Sequence, residues 1–273
     1  MNCKSCGNDH LESYCPACGE KAFKPSQLSV KHFVEETFEG IVHFDSKFFR
    51  TIKTLIAKPG QLSLDYTEGR RVMYMKPIPF FLLVNILFFL IAGGNNLYSL
   101  SLGNYINYQP FTNFNTKHIV LQKLHDTGLS MPEYERLFNE KIIAASKEFI
   151  FLFIPFYGLL FSAVLFRKKK YFVEHLVFAI HLLAFILLFI MAHHYLVIGP
   201  YYFLAKNHYS ERFDFVDGWF MSLVIATYLS FAIRRFYKVN IIWSLTVSLA
   251  FGWTFLFFIQ FYRMLLFFKI LYL

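Results

Sequence analysis

Between Leu176 and Ile198 the chain carries no Asp, Glu, Lys or Arg. A helix rises about 1.5 Å per residue, so roughly 20 apolar residues cross the ~30 Å hydrocarbon core of a bilayer. A helix apolar on every face has no place on the surface of a soluble domain. Four more stretches share this character, at about 78–97, 149–166, 218–233 and 241–262. The composition agrees. Only 16% of the residues are charged and 21% are aromatic, including 36 Phe, whereas soluble domains carry about 25% charge. The expected fold is an all-α integral membrane protein, with five transmembrane helices within 77–273 and a loop at 98–148 on the outer side.

Loop charge sets the expected orientation. Eleven Lys and Arg precede the first span, and Arg167-Lys168-Lys169-Lys170 separate the second from the third. Arg234, Arg235 and Lys238 separate the fourth from the fifth, while the alternate loops hold few basic residues, offset by Glu133, Glu135, Glu140 and Asp214. Five spans put every basic loop on one face, which the positive-inside bias assigns to the cytoplasm. The N-terminus is then inside and the C-terminus outside a cell (inner or plasma) membrane. The first span is the weakest, because its apolar run stops at Ala92 before Gly93-Gly94-Asn95-Asn96. Without it the basic N-terminal region would face away from the Arg167–Lys170 loop. The net charge of +9 fits the same bias and an anionic lipid surface as partner.

All four cysteines lie near the start, as Cys3, Cys6, Cys15 and Cys18 in the pattern C-x2-C-x8-C-x2-C. Polar, cysteine-bearing sequence at the N-terminus lacks the apolar core of a signal peptide, so the expected setting is reducing, where such pairs bind metal. Two-residue spacing lets both thiolates of a pair meet one ion, and Gly7 and Gly19 allow the chain to turn beneath it. Four thiolates suit a structural Zn2+, with no open coordination position. Residues 1–22 are therefore expected to form a zinc-knuckle or ribbon-like segment. Lys4 and Lys21 are balanced by Asp9, Glu12 and Glu20, with Tyr14 the lone aromatic, so no nucleic-acid partner is expected.

Residues 23–76 are expected to hold two cytosolic, juxtamembrane amphipathic helices. Val30, Phe33, Val34, Phe38, Ile41 and Phe44 share one face, opposite His32, Glu35, Glu36, Glu39 and His43. Asp45 is placed to cap a second helix with an apolar stripe of Phe48, Phe49, Ile52, Leu55 and Ile56, stopped by Pro59-Gly60. Two placements fit this pattern: on the cytosolic leaflet, or packed together on the ends of the spans. In the outer loop, Thr116–Asp126 is expected as a short helix ended by Gly128, and Ser130-Met131-Pro132-Glu133 has capping-box spacing. No internal repeat is evident.

Two motifs carry a resemblance. Tyr66, Gly69, Arg71, Tyr74 and Pro77 fit Y-x-x-G-x-R-x-x-Y-x-x-P, and Glu174, His175, Phe178 and His181, led by Phe172 or Tyr171, fit Y-x-E-H-x-x-F-x-x-H. With the paired C-x2-C knuckles, the chain resembles a family of bacterial multi-pass membrane proteins that carry a domain of unknown function. The resemblance implies a membrane fold and assigns no activity.

The candidate sites each have an ordinary alternative. Gly69 is placed to cap a helix C-terminus. Arg70, Arg71 and Lys76 are expected at headgroup level, either anchoring the first span or forming an anion site with Arg167, Lys168, Lys169 and Lys170. Glu174 and His181 fall within about 20° of each other on a helix, about 10 Å apart along it. With His175 they form a candidate intramembrane polar site. The plainer alternative is a hydrogen bond from His181 to Asn85, Tyr157 or Ser162. His193, His194, His208, Glu211, Asp214 and Asp217 are read as solvated helix ends. No G-x-S-x-G, Walker, dinucleotide or H-E-x-x-H motif occurs, which removes any basis for naming a substrate and leaves a membrane enzyme open. The expected role is an interaction, assembly or scaffold protein that binds a cytosolic protein or a second copy of itself. The alternative is a small-molecule or ion transporter, or a lipid-handling enzyme, using Glu174, His181 and the basic face.

Overall fold

The computed structural model describes residues 2–9, 12–23, 28–31, 33, 47–92, 98–146, 150–168, 171–204 and 211–272. Beyond the cysteine-bearing head the described residues are mostly helical, joined by turns and short coil. The elements are α1 (Lys47–Ala57), α2 (Gln61–Thr67), α3 (Pro77–Ala92), α4 (Leu102–Asn107), α5 (Thr116–Thr127), α6 (Met131–Ala145), α7 (Phe153–Leu165), α8 (Phe172–His193), α9 (Gly199–Leu204), α10 (Glu211–Tyr237) and α11 (Ile241–Tyr272). A π-helical turn, His194–Ile198, joins α8 to α9. Most of the first expected amphipathic helix lies outside the described residues, as do Asp45, Gly93–Asn96, Lys169, Lys170 and His208.

Three stretches are long and apolar enough to cross a membrane: Phe172–Tyr201, Val216–Tyr237 and Ile241–Tyr272. The other two expected spans are shorter as helices. α3 has 16 residues and α7 has 13, about 24 and 20 Å at the ordinary rise.

Residues 1–88 and 153–250 form one compact unit, and residues 89–152 and 251–273 form a second. In the first, α8 is the hub. Gly158 of α7 lets that helix press close, since a Cβ there would lie 2.5 Å from Leu176 Cδ2. Along its other side α8 pairs antiparallel with α10. His175 meets Tyr237, Phe178 stacks on Phe236 at 5.2 Å, Phe185 stacks on Tyr228, and His193 meets Asp217.

Helices α1 and α2 pack into this same unit. α1 buries Phe48, Thr51 and Leu55, while Phe49 and Ile56 face outward. Its Leu55 carbonyl accepts a 2.8 Å bond from the Tyr228 hydroxyl, and Arg235 Nη1 donates to the Pro59 carbonyl at 2.8 Å. A Cβ on Gly60 would collide with the carbonyl oxygen of Ala232. The apolar stripe of α1 therefore divides, part of it packed against protein and part exposed.

In the second unit, Tyr105 is fully buried against Phe111, Phe138 and Phe267 and donates to the Arg263 carbonyl at 3.0 Å. α5 ends at Gly128, whose φ is +68°. At Ser130 the cap is made by backbone alone. Tyr134 N–H bonds the Ser130 carbonyl at 3.0 Å, and no side-chain cap bond forms.

Candidate metal centre and the buried polar helix

The two knuckles are copies of one turn. Cys3 N–H donates to Asn8 O and Gly7 N–H to Cys3 O, both at 2.9 Å. Twelve residues later Cys15 N–H donates to Glu20 O and Gly19 N–H to Cys15 O, both at 2.8 Å. Gly7 and Gly19 have φ of +78° and +74°, a region open to glycine without steric cost. The short repeat CKSCGN/CPACGE corrects the expectation that the chain has none.

Face to face, the knuckles bring the four sulfurs within 4.8 Å of one another. Cys3 Sγ lies 3.6 Å from Cys18 Sγ, and Cys6 Sγ lies 3.5 Å from Cys15 Sγ. Sulfurs bound at about 2.3 Å to a tetrahedral ion stand roughly 3.8 Å apart, so the cluster is sized to hold one metal ion. The electrostatics agree. The N–H of Cys6 leads in pulling the Cys3 thiol down to about 6, with burial opposing and Ser5 N–H assisting. The Cys18 thiol is pushed up to about 12. The N–H of Glu20 favours its thiolate, but burial and the Cys6, Cys3 and Cys15 sulfurs outweigh it. Cys3 thus lies below and Cys18 above the ordinary thiol range, as the crowding of four sulfurs requires.

The head rests on the corner between α2 and α3. At the end of α2, Gly69 N–H donates to Tyr66 O at 3.3 Å and Arg70 N–H to Asp65 O at 2.8 Å. This is the paired bonding of a Schellman cap, with Gly69 at φ +91°. Gly69 also makes room, since a Cβ there would fall 2.6 Å from the Phe23 side chain. Glu20, itself buried, reaches the corner with one oxygen. Its Oε2 accepts from Arg71 N–H at 2.8 Å, Val72 N–H at 2.9 Å and the Ser5 hydroxyl at 2.6 Å.

The same corner holds the arginines. Arg70 Nε and Nη2 both donate to Asp65 Oδ1, at 2.8 and 2.6 Å, and Nη2 also meets Glu68 Oε2 at 2.7 Å. Partial burial opposes the charge on Arg70, but these two carboxylates prevail and raise its pKa. Arg71 Nε donates to Tyr66 O at 3.0 Å, and its guanidinium lies over the Tyr66 and Phe23 rings at 4.3 and 5.3 Å. Tyr74 is raised first by burial, and Pro77 opens α3, where its missing N–H costs nothing. The described bonds of Arg70 and Arg71 thus run to the protein itself. Arg167 lies over Phe166 at 5.4 Å and Lys168 ends a short 3-10 turn.

Four polar residues of α8 are buried, and each has a protein partner. Glu174 Oε2 accepts the Tyr171 N–H at 3.0 Å, capping the helix instead of standing in solvent. His175 Nδ1 lies 3.0 Å from the Tyr237 hydroxyl. His181 Nδ1 lies 2.9 Å from the Ser63 hydroxyl on α2, which is none of the three partners expected from sequence. His193 Nε2 lies 2.8 Å from Asp217 Oδ1. That last pair, read from sequence as solvated, is an interhelical contact. Glu174, His175 and His181 line one helix, and their described bonds run to Tyr171, Tyr237 and Ser63.

Residues 45–89 match a family described as "Protein of unknown function (DUF3667)". The match contains Tyr66, Gly69, Arg71, Tyr74 and Pro77, the residues that build the docking corner; the Glu174–His181 motif lies beyond it. No curated protein and no solved structure matches the chain.

Proposed function

We propose that this chain is a multi-pass membrane protein whose N-terminal head holds a structural Zn2+ on the cytoplasmic side and serves as an interaction or assembly module. The observation that carries this reading is the closed tetrathiolate on a docked head. Four sulfurs within 4.8 Å leave an ion no open position for substrate. The polar residues of the central helix are engaged by tyrosine, serine, aspartate and backbone, which supports a structural role for them. The five-span arrangement, N-terminus in and C-terminus out, remains the topology that the loop charges favour.

Metal analysis of the purified protein tests the base of this reading, with one zinc per chain expected and none after Cys3→Ser with Cys6→Ser. Crosslinking in native membranes tests the role, with captured protein partners or second copies lost in the same variant. An impermeant thiol reagent that labels the cysteines in intact cells would place the head outside and reject the orientation.

A second reading, a proton or small-ion handler, draws on one observation. His181 Nε2 is buried with no hydrogen-bond partner among the described residues. It requires proton uptake by proteoliposomes under a pH gradient that His181→Phe abolishes, and absence of uptake in the wild-type protein rejects it.

A further inference from the structure

One carboxylate oxygen holds three parts of the molecule together. Glu20 Oε2 accepts from Ser5, which lies between the two cysteines of the first knuckle, and from the Arg71 and Val72 N–H groups at the α2–α3 corner. Glu20 itself directly follows Gly19 of the second knuckle. Such a bond set compensates a buried carboxylate only while all three donors converge. Convergence in turn requires the two knuckles to be closed on each other, because Ser5 and Glu20 belong to opposite ones. Closed knuckles crowd four sulfurs, and thiolates at that spacing repel one another unless a cation lies among them.

The knuckles also differ in a telling way. Asn8 occupies in the first the place that Glu20 occupies in the second, and Asn8 is exposed. Only the second knuckle carries a carboxylate to the corner, and the Phe23 ring that follows it packs on Gly69 and Arg71. The corner leads from α2, which holds Ser63 against His181, into the apolar helix α3.

We propose that the head is a metal-dependent latch on the membrane body. With the four sulfurs clasped, Glu20 closes the Arg71–Val72 corner; with the knuckles apart, the carboxylate withdraws and both N–H groups lose their acceptor. This rests on the reading that the cysteines hold a metal, and it adds what the metal state controls.

The test is hydrogen–deuterium exchange of the full-length protein in detergent, followed at residues 68–75 and paired with metal analysis. In the loaded protein the Arg71 and Val72 amides are protected. Chelation speeds their exchange by roughly tenfold or more, as expected for losing two charge-assisted bonds, and zinc alone restores protection. Glu20→Ala produces the same rise while the protein keeps one metal per chain, whereas Asn8→Ala leaves the corner unchanged.

Four results overturn the latch. If the wild type holds metal but chelation leaves corner exchange unchanged, the latch fails and the metal reading stands. If the wild type holds no metal, both fail. If Glu20→Ala loses the metal, or Asn8→Ala loosens the corner equally, Glu20 serves the fold of the head and not its docking.

Discussion

Helices α8 and α10 are both apolar and both long enough to span a membrane, yet they meet different surroundings. Of the apolar stretch through α8, 72% is buried within the protein, against 22% for α10. The titratable residues follow this division. α8 carries Glu174, His175 and His181 within its continuously buried part, from Val173 to Leu187. α10 keeps its charged residues near its two ends and presents Leu223 and Phe231 outward along its length. Apolarity alone does not tell whether a helix is surrounded by lipid or by other helices. Polar residues at depth do, because lipid offers them no partner and a neighbouring helix can.

Substitutions that separate buried from exposed positions sharpen this contrast. The largest effect is expected at Phe178, packed among Phe161, Phe236 and Tyr237 with ring centroids 5.0 to 5.2 Å away. Phe178→Ala should cost about 3–5 kcal/mol in unfolding measured in mixed micelles, while Leu223→Ala on the exposed face of α10 should stay within about 1 kcal/mol. Equal losses would erase the distinction between the helices.

Next is Gly158→Leu, which forces a side chain into Leu176 and should cost about 1–3 kcal/mol. The same change at Gly252, where a Cβ meets nothing within 4 Å, should leave the thermal midpoint nearly unmoved. Ser63→Ala strips His181 Nδ1 of its hydroxyl and should lower stability by about 1–2 kcal/mol. A Ser63→Thr variant that keeps the hydroxyl and recovers much of that loss would separate hydrogen bonding from packing. Smallest of all, Ser222→Ala removes an exposed hydroxyl bonded to the Gly218 carbonyl on its own helix, for an expected change within about 0.5 kcal/mol.

The parts legible from sequence are those set by neighbours in the chain. The spacing of the cysteines, the turn glycines beside them and the cap at Gly69 all follow from local geometry. Contacts across long separations leave no such trace. Ser63 sits in QLSLDYT, a seven-residue helix too short to display a period, and its partner lies 118 residues away. Glu20 looked like charge balance for Lys21, because its donors at residues 71 and 72 belong to another segment. Arg70 and Arg71 read as a basic patch near lipid for a different reason. Asp65, Glu68 and Tyr66 lie within five residues of them, but the turn at Gly69 that folds the arginines back on those residues, and the distant Phe23 ring, are not visible in net charge.

The α8–α10 pairing has a mechanical consequence. Four contacts, from His175–Tyr237 through Phe178–Phe236 and Phe185–Tyr228 to His193–Asp217, mark one register along about 27 Å of helix. Sliding one rod past the other by a single turn, about 5.4 Å, would break all four at once with no matching set to receive them. The two helices are therefore keyed against piston motion, and any rearrangement of this body must carry them together as a single strut.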